Sequence, residues 1–356
     1  MAHTTQQNDL KEAKTALDVV IKKSRIHLYK PIQIAEILYR DRVFGDIDLA
    51  RLETYRNKSK AWRDEMCIAL LGRVSTSSAK FQDDLFNAIP PHLIAKLGKY
   101  NKSHNGVVEA YIYSKFTHKY AQLNNALSLC LNATKNNFNI TDFINAFWAE
   151  AGLKRSIDKI YEIIAYALFD TLLEALNLNI SISLDKNQIG ILDEFNEFVE
   201  SILCVKKSTL ESNDFILIQK AKIYRVGVTN AADRGLDMYG NWGLAIQVKH
   251  LTLDMEIAQN IISSVNSDRI IIVCKDAQKD IILSILNQVG FNRIAGIVTE
   301  NILIAWYEKA LRGKYSNILG NNLLKTLHKE IVLEFPSLKE LPTILSERKY
   351  PQVDDF

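Results

Sequence analysis

The run from Gly243 to His250, "GLAIQVKH", alternates apolar with small or polar residues, a period that only a strand accommodates. Its phase sends Leu244, Ile246 and Val248 to one face and Gly243, Ala245, Gln247 and Lys249 to the other. Just before it, "GNWG" (Gly240–Gly243) supplies turn residues, so the strand closes an antiparallel hairpin with a short strand over Leu236 to Tyr239. "KIYRVGV" (Lys222 to Val228) reads as a strand ahead of the hairpin. "RIIIVCK" (Arg269 to Lys275) is apolar along its length and reads as a buried strand behind it. Helices over Met255 to Val265 and Ala277 to Val289 and a last strand over Arg293 to Thr299 complete the order. The fold class this implies is α/β (α+β), a mixed sheet flanked by helices.

The remaining sequence is helical in character. "KRSIDKIYEIIAYALFDTLLEAL" predicts a long helix ending at Asn177, with another over Ile189 to Leu203. Upstream, helices are expected over Leu10 to Lys23 and over Ile32 to Arg40, the latter opened by Pro31. Asp46 or Asp48 is a candidate cap for a helix running towards Leu71. Ser77 or Ser78 is a candidate cap for Ala79 to Phe86, and "NKSHNG" (Asn101 to Gly106) reads as a loop. Three regions result: a helical 1–150, a core of helices and mixed sheet at 151–301, and a helical C-terminal extension at 302–356.

Composition excludes several classes. Lys plus Arg (44) nearly balances Asp plus Glu (41), which leaves local basic patches but no polycationic tail. Cys67, Cys130, Cys204 and Cys274 are widely spaced with no C-x-x-C pair, which argues for reduced thiols and against zinc. The polar opening "MAHTTQQNDLKEAK" has no apolar signal region, and no stretch approaches the ~18 apolar residues of a membrane span. A bacterial cytoplasmic location without membrane association is expected.

The hairpin carries chemistry. Gln247 and Lys249 share a face, and the glycine-bounded turn brings Asp237 beside it. Oxygens from Asp237 and Gln247, with the Val248 carbonyl, suit Mg²⁺, which takes few protein ligands and keeps several waters. Lys249 can orient or deprotonate a water and offset charge on an attacked phosphate. Because an amide binds a cation more weakly than a carboxylate, a further acid is expected. Glu162 on the long helix is preferred to Glu174, and Asp233 is the rival of Asp237. For DNA contact, "YRNKSKAWR" offers Arg56, Lys58, Lys60 and Arg63 without an acid. "GRVSTSSAK" sets Arg73, Ser75, Ser77, Ser78 and Lys80 around a helix start, where backbone amides bind phosphate.

The hairpin arrangement resembles that of the PD-(D/E)XK nucleases, with glutamine in place of the second acid. "SRIHLYKPIQIAEILYRDR", "LETYRNKSKAWRDE" and "GRVSTSSAKFQDDLF", together with "GLDMYGNWGLAIQVKH", resemble the HaeII family of type II restriction endonucleases over most of the chain. The resemblance implies a Mg²⁺-dependent endonuclease of a restriction–modification system, cutting double-stranded DNA within purine-GCGC-pyrimidine. It also implies a homodimer matched to the palindrome and a cognate DNA methyltransferase in the same system. The alternatives are a structure-specific or repair nuclease with the same core and a non-enzymatic helical DNA-binding protein. A nucleotide-binding enzyme would need a glycine-rich phosphate loop that this sequence lacks.

Overall fold

Capping chemistry sets several of the N-terminal helix boundaries. The computed structural model describes residues 2–75, 78–183, 189–198, 201–202, 216–226, 236–278, 280, 282, 284, 293–338, 341–353 and 355–356. Eight helices lead: α1 (Ala2–Lys23), α2 (Tyr29–Val43), α3 (Lys58–Leu71), α4 (Ala79–Ala88), α5 (Pro91–Ser103), α6 (Val107–Leu131), α7 (Ile140–Ala149) and α8 (Ile157–Leu176). The Ser78 hydroxyl accepts the Phe81 amide at 3.2 Å to start α4, and Pro91 opens α5. α8 ends where Asn177 turns left-handed (φ 47°), a conformation asparagine tolerates at a helix end.

Two boundaries differ from the sequence reading. Neither Asp46 nor Asp48 caps a long helix. Asp46 pairs with Arg40, Asp48 accepts the Ala50 amide in a turn, and α3 starts only at Lys58. The "NKSHNG" segment is partly helical, with α5 running to Ser103. Asn101 is buried there because its side-chain oxygen accepts the Val108 and Glu109 amides, capping α6 from the preceding turn.

After α8 comes an antiparallel ribbon of β1 (Asn179–Ser183) and β2 (Ile216–Lys220), which the sequence reading passed over. The main sheet contains β3 (Ile223–Arg225), β4 (Met238–Gly240), β5 (Leu244–Leu253), β6 (Arg269–Ala277) and β7 (Ile294–Thr299), in that spatial order. β3, β4 and β5 form an antiparallel meander, and β6 and β7 then add in parallel. A parallel neighbour needs a crossover, supplied between β5 and β6 by α9 (Met255–Ser264), which Asp254 caps through the Ile257 amide. α10 (Glu300–Arg312), α11 (Ser316–Glu334) and α12 (Leu341–Glu347) close the chain. The expected helix over Ala277 to Val289 falls largely outside the described residues. Of Ile189 to Leu203, short helical stretches appear at Ile189–Glu194 and Asn196–Phe198.

The sheet is buried on both sides at β5 and β6, which changes the expected picture of β5. Ile246 and Val248 join a core that runs from Ala13 in α1 through α8 to Leu341. Ala245 faces the opposite way, into a second cluster with Ile262, Ile272 and Cys274. The face expected to be open is therefore closed at Ala245 and Gln247 and opens only towards Lys249. The Tyr307 hydroxyl donates to the Ile164 carbonyl at 2.9 Å and fastens α10 to α8. Helical regions and sheet thus share one core, with α8 as its central column.

Candidate active site

The hairpin geometry follows from its register. Met238 opposes Ile246 and Gly240 opposes Leu244, so Asp237, one step beyond β4, lies opposite Gln247. Gly243 turns with φ 81°, and at Gly240 a Cβ would meet the Trp242 ring at 2.8 Å, so both positions need glycine. Asp237 Oδ2 accepts the Val248 amide at 2.7 Å and a hydrogen bond from Gln247 Nε2. Gln247, 2% exposed, therefore orients Asp237 as a donor, whereas the sequence reading makes it an oxygen ligand. Ligation by its oxygen would require the amide to turn over. Past Lys249 the β5–β6 register shifts, a bulge that re-aims the strand end.

α8 presents a polar stripe to that strand end. Arg155 and Ser156 precede it, and Asp158, Lys159 and Glu162 follow at helical spacing. These residues line a cleft of about 850 Å³ together with Asp237, Val248 and Lys249. Lys159 Nζ donates to both Glu162 oxygens at 2.8 and 2.7 Å. Burial pushes the Glu162 carboxyl up to about 7 against the pull of Lys159, and the Asp237 charge adds to the rise. Asp237 is also raised, by burial, against the opposing Val248 amide, Lys249, Lys159 and Gln247. Glu162 is thus close enough to sense Asp237. Asp158 pairs with His250 and ties α8 to β5 beside the cleft. Asp233 and Ser77 lie outside the described residues.

A buried arginine closes the back of the site. Arg225 of β3 contacts Glu330 and Glu334 of α11 at 3.1 Å each and stands 3.9 Å from Glu162. Glu330 and Glu334 flank Arg225 behind the cleft, while Glu162 and Asp237 face Lys159 and Lys249 within it. Hard oxygen donors close enough for Asp237 to raise the Glu162 pKa suit a divalent cation, which would relieve their repulsion. Among the described residues no three His, Cys, Asp or Glu side chains converge to hold a metal. Such an ion would therefore rest on Asp237 and Glu162, completed by amide or backbone oxygen and water.

The expected DNA contacts divide. Lys58 and Lys80 are exposed and Lys60 is half-buried. Arg56 pairs with Asp83 at the surface. Ser78 is spent as the α4 cap, and the Ser75 carbonyl accepts from Arg63 at 3.3 Å. Two arginines depart from a surface role. Arg63 is fully buried against Asp64, Gln33 and the Phe81 ring, where it braces the turn into α4. Arg73 donates to the Leu333 and Glu334 carbonyls and so caps the C-terminus of α11, where a cation complements the helix dipole. The adjoining His27 is kept neutral, its pKa driven down to about 3 by burial and by Arg73. In place of these arginines, Lys23, Arg25, Lys30 and Arg155 line the cleft. The sequence reading missed these four, along with Lys159 and Arg225. Helical spacing from Glu162 could have found Lys159 and Arg155.

An antiparallel meander handing over to two parallel strands, with helices on both faces, is consistent with a restriction-endonuclease-like fold. A family model described as HaeII restriction endonuclease matches residues 13–350. The chain is 52% identical to the type II restriction enzyme HaeII of Haemophilus aegyptius, over 98% of this chain and 99% of that protein. It is 53% identical to the type II restriction enzyme NgoBI of Neisseria gonorrhoeae, over 92% of this chain and 93% of the relative. No solved structure matches it. The chain belongs to the HaeII restriction endonuclease family, and is accordingly a site-specific endonuclease of the type II class. No helix among the described residues is long and apolar enough to cross a membrane.

Proposed function

We propose that the chain hydrolyses both strands of DNA within purine-GCGC-pyrimidine, using Mg²⁺ at a site of PD-(D/E)XK type. We further propose that it acts as a homodimer in the bacterial cytoplasm, partnered in its system by a DNA methyltransferase. The observation that carries the chemistry is the carboxylate pair of buried Glu162 and half-buried Asp237, both raised in pKa and set beside Lys249 in one cleft.

Asp237 and Glu162 would hold the ion, with Val248 lending its carbonyl. A divalent ion bound there supplies charge stabilisation at the phosphate and a more acidic water. The remaining work belongs to the chain. Gln247 and the Val248 amide fix Asp237 in one rotamer. Lys249 aligns the attacking water and offsets the charge that grows on the phosphoryl oxygens. Lys159 holds Glu162 in place from the same helix. Lys23, Arg25, Lys30 and Arg155 draw in the DNA backbone, a contact that positions without reading sequence.

Digestion of a long natural DNA in Mg²⁺ tests this reading. Discrete fragments with ends inside purine-GCGC-pyrimidine are expected, with none in EDTA. A smear, or cutting confined to branched junctions, would move the protein to the structure-specific class.

A further inference from the structure

Lys159 stands where a helix gains least from a cation. It is the third residue of α8, and a positive charge in the first turn opposes the helix dipole. Its ion pair with Glu162 also runs lysine first, the weaker order along a helix. Helix stability therefore does not account for the contact. Arg155 lies one turn earlier on the same side, Ser156 adds no side-chain cap, and Asp158 is engaged by His250. Two cations thus mark the end of α8 that lines the cleft.

The same ammonium takes up the oxygens that a metal needs. Both Glu162 oxygens accept from Lys159 Nζ, at 2.8 and 2.7 Å. Burial raises the Asp237 carboxyl, and the Lys159 charge is among those that oppose the rise, so it acts on both acids. Arg225 differs, because Glu330 and Glu334 lock it at 3.1 Å each while it stands 3.9 Å from Glu162. Among the described residues Lys159 bonds Glu162 alone, from a flexible stem that is 19% exposed.

We propose that Lys159 is an exchangeable cation, displaced from Glu162 by a divalent ion and then bound to a DNA phosphate at the start of α8. The inference rests on the reading that Asp237 and Glu162 hold the ion. An ammonium spanning both Glu162 oxygens competes with an ion on either of them, so the contact that holds Glu162 also guards it. Released, Lys159 lies one helical turn from Arg155, and the two can serve one stretch of backbone. Ion and DNA then bind cooperatively, each raising the other's affinity by the same factor.

The test starts with Mn²⁺, another oxygen-seeking ion, titrated into the intact protein without DNA and followed by its EPR signal. Lys159→Met should bind it ~10-fold more tightly than wild type. Lys159→Arg, whose fork grips a carboxylate in two places, should bind it no more tightly than wild type. A lysine that only holds Glu162 in place gives the opposite sign, weaker binding by Lys159→Met. Lys159→Gln repeats the reading if the methionine variant does not fold. Duplex affinity is then measured in the Lys249→Ala background, which leaves the DNA uncut. There Mg²⁺ should tighten binding ~10-fold, and adding Lys159→Met should remove most of that gain. Mn²⁺ binding that Lys159→Met leaves unchanged or weakens, or a Mg²⁺ gain that survives it, would overturn the proposal. Asp237→Ala separates the two readings. If it abolishes Mn²⁺ binding while Lys159→Met changes nothing, only the exchange falls; if it binds Mn²⁺ as wild type does, the metal site falls and the exchange with it.

Discussion

Glu162→Gln should make the metal-free protein more stable than wild type, and increasingly so as pH rises. In the unfolded chain this carboxyl loses its proton near its ordinary value of 4.5, whereas the folded protein retains the proton up to about 7. Below pH 4.5 both states are protonated and the residue contributes nothing. Between those values the unfolded state sheds a proton that the native state keeps bound. Raising the pH therefore costs native stability until it passes 7. The full difference is about 3 kcal/mol, and Glu162 is too buried for solvent to screen much of it. Glutamine keeps an acceptor for Lys159 but has no proton to lose. Urea unfolding of both proteins in EDTA from pH 4 to 8 should show the variant's advantage growing by about 3 kcal/mol. A divalent cation at pH 8 should then stabilise wild type and leave the variant nearly unchanged. An advantage that does not vary with pH would refute the buried-carboxylate account.

Four substitutions at other side chains extend the test. Arg225→Met strands Glu330 and Glu334 in the core and should cost about 3–5 kcal/mol in urea denaturation at neutral pH. Gln247→Glu removes the amide donor to Asp237 and adds a third acid, so isothermal titration should show tighter divalent-ion binding and thermal scans a less stable metal-free protein. Arg63→Met should lower the melting temperature, because this fully buried arginine braces the turn into α4, whereas Lys80→Ala should leave the melting temperature unchanged and weaken DNA binding.

Local periodicity made much of the architecture legible. The α8 helix and its stop at Asn177, the meander and the buried β6 follow from patterns a few residues long, as does the pairing of Asp237 with the Gln247 strand. Glu162 was reachable because a neutral Gln247 demands another acid and a single helix face offers it. What was hidden depends on distance along the chain. Arg225 meets acids more than a hundred residues away, and nothing near it in sequence announces them. Arg63 and Arg73 look like surface cations in an acid-free run, yet one brace and one helix cap consume them. The two ribbon strands were passed over because they alternate without a buried face to give the pattern meaning.

Under the proposed function, Asp237 and Lys249 perform the cleavage while other residues hold the DNA. Plasmid cleavage in Mg²⁺ by Asp237→Ala and Lys249→Ala, with duplex binding measured in parallel, tests it most directly. Both variants are expected to lose cleavage and keep their affinity for DNA. Cleavage by either variant at the wild-type rate would contradict it.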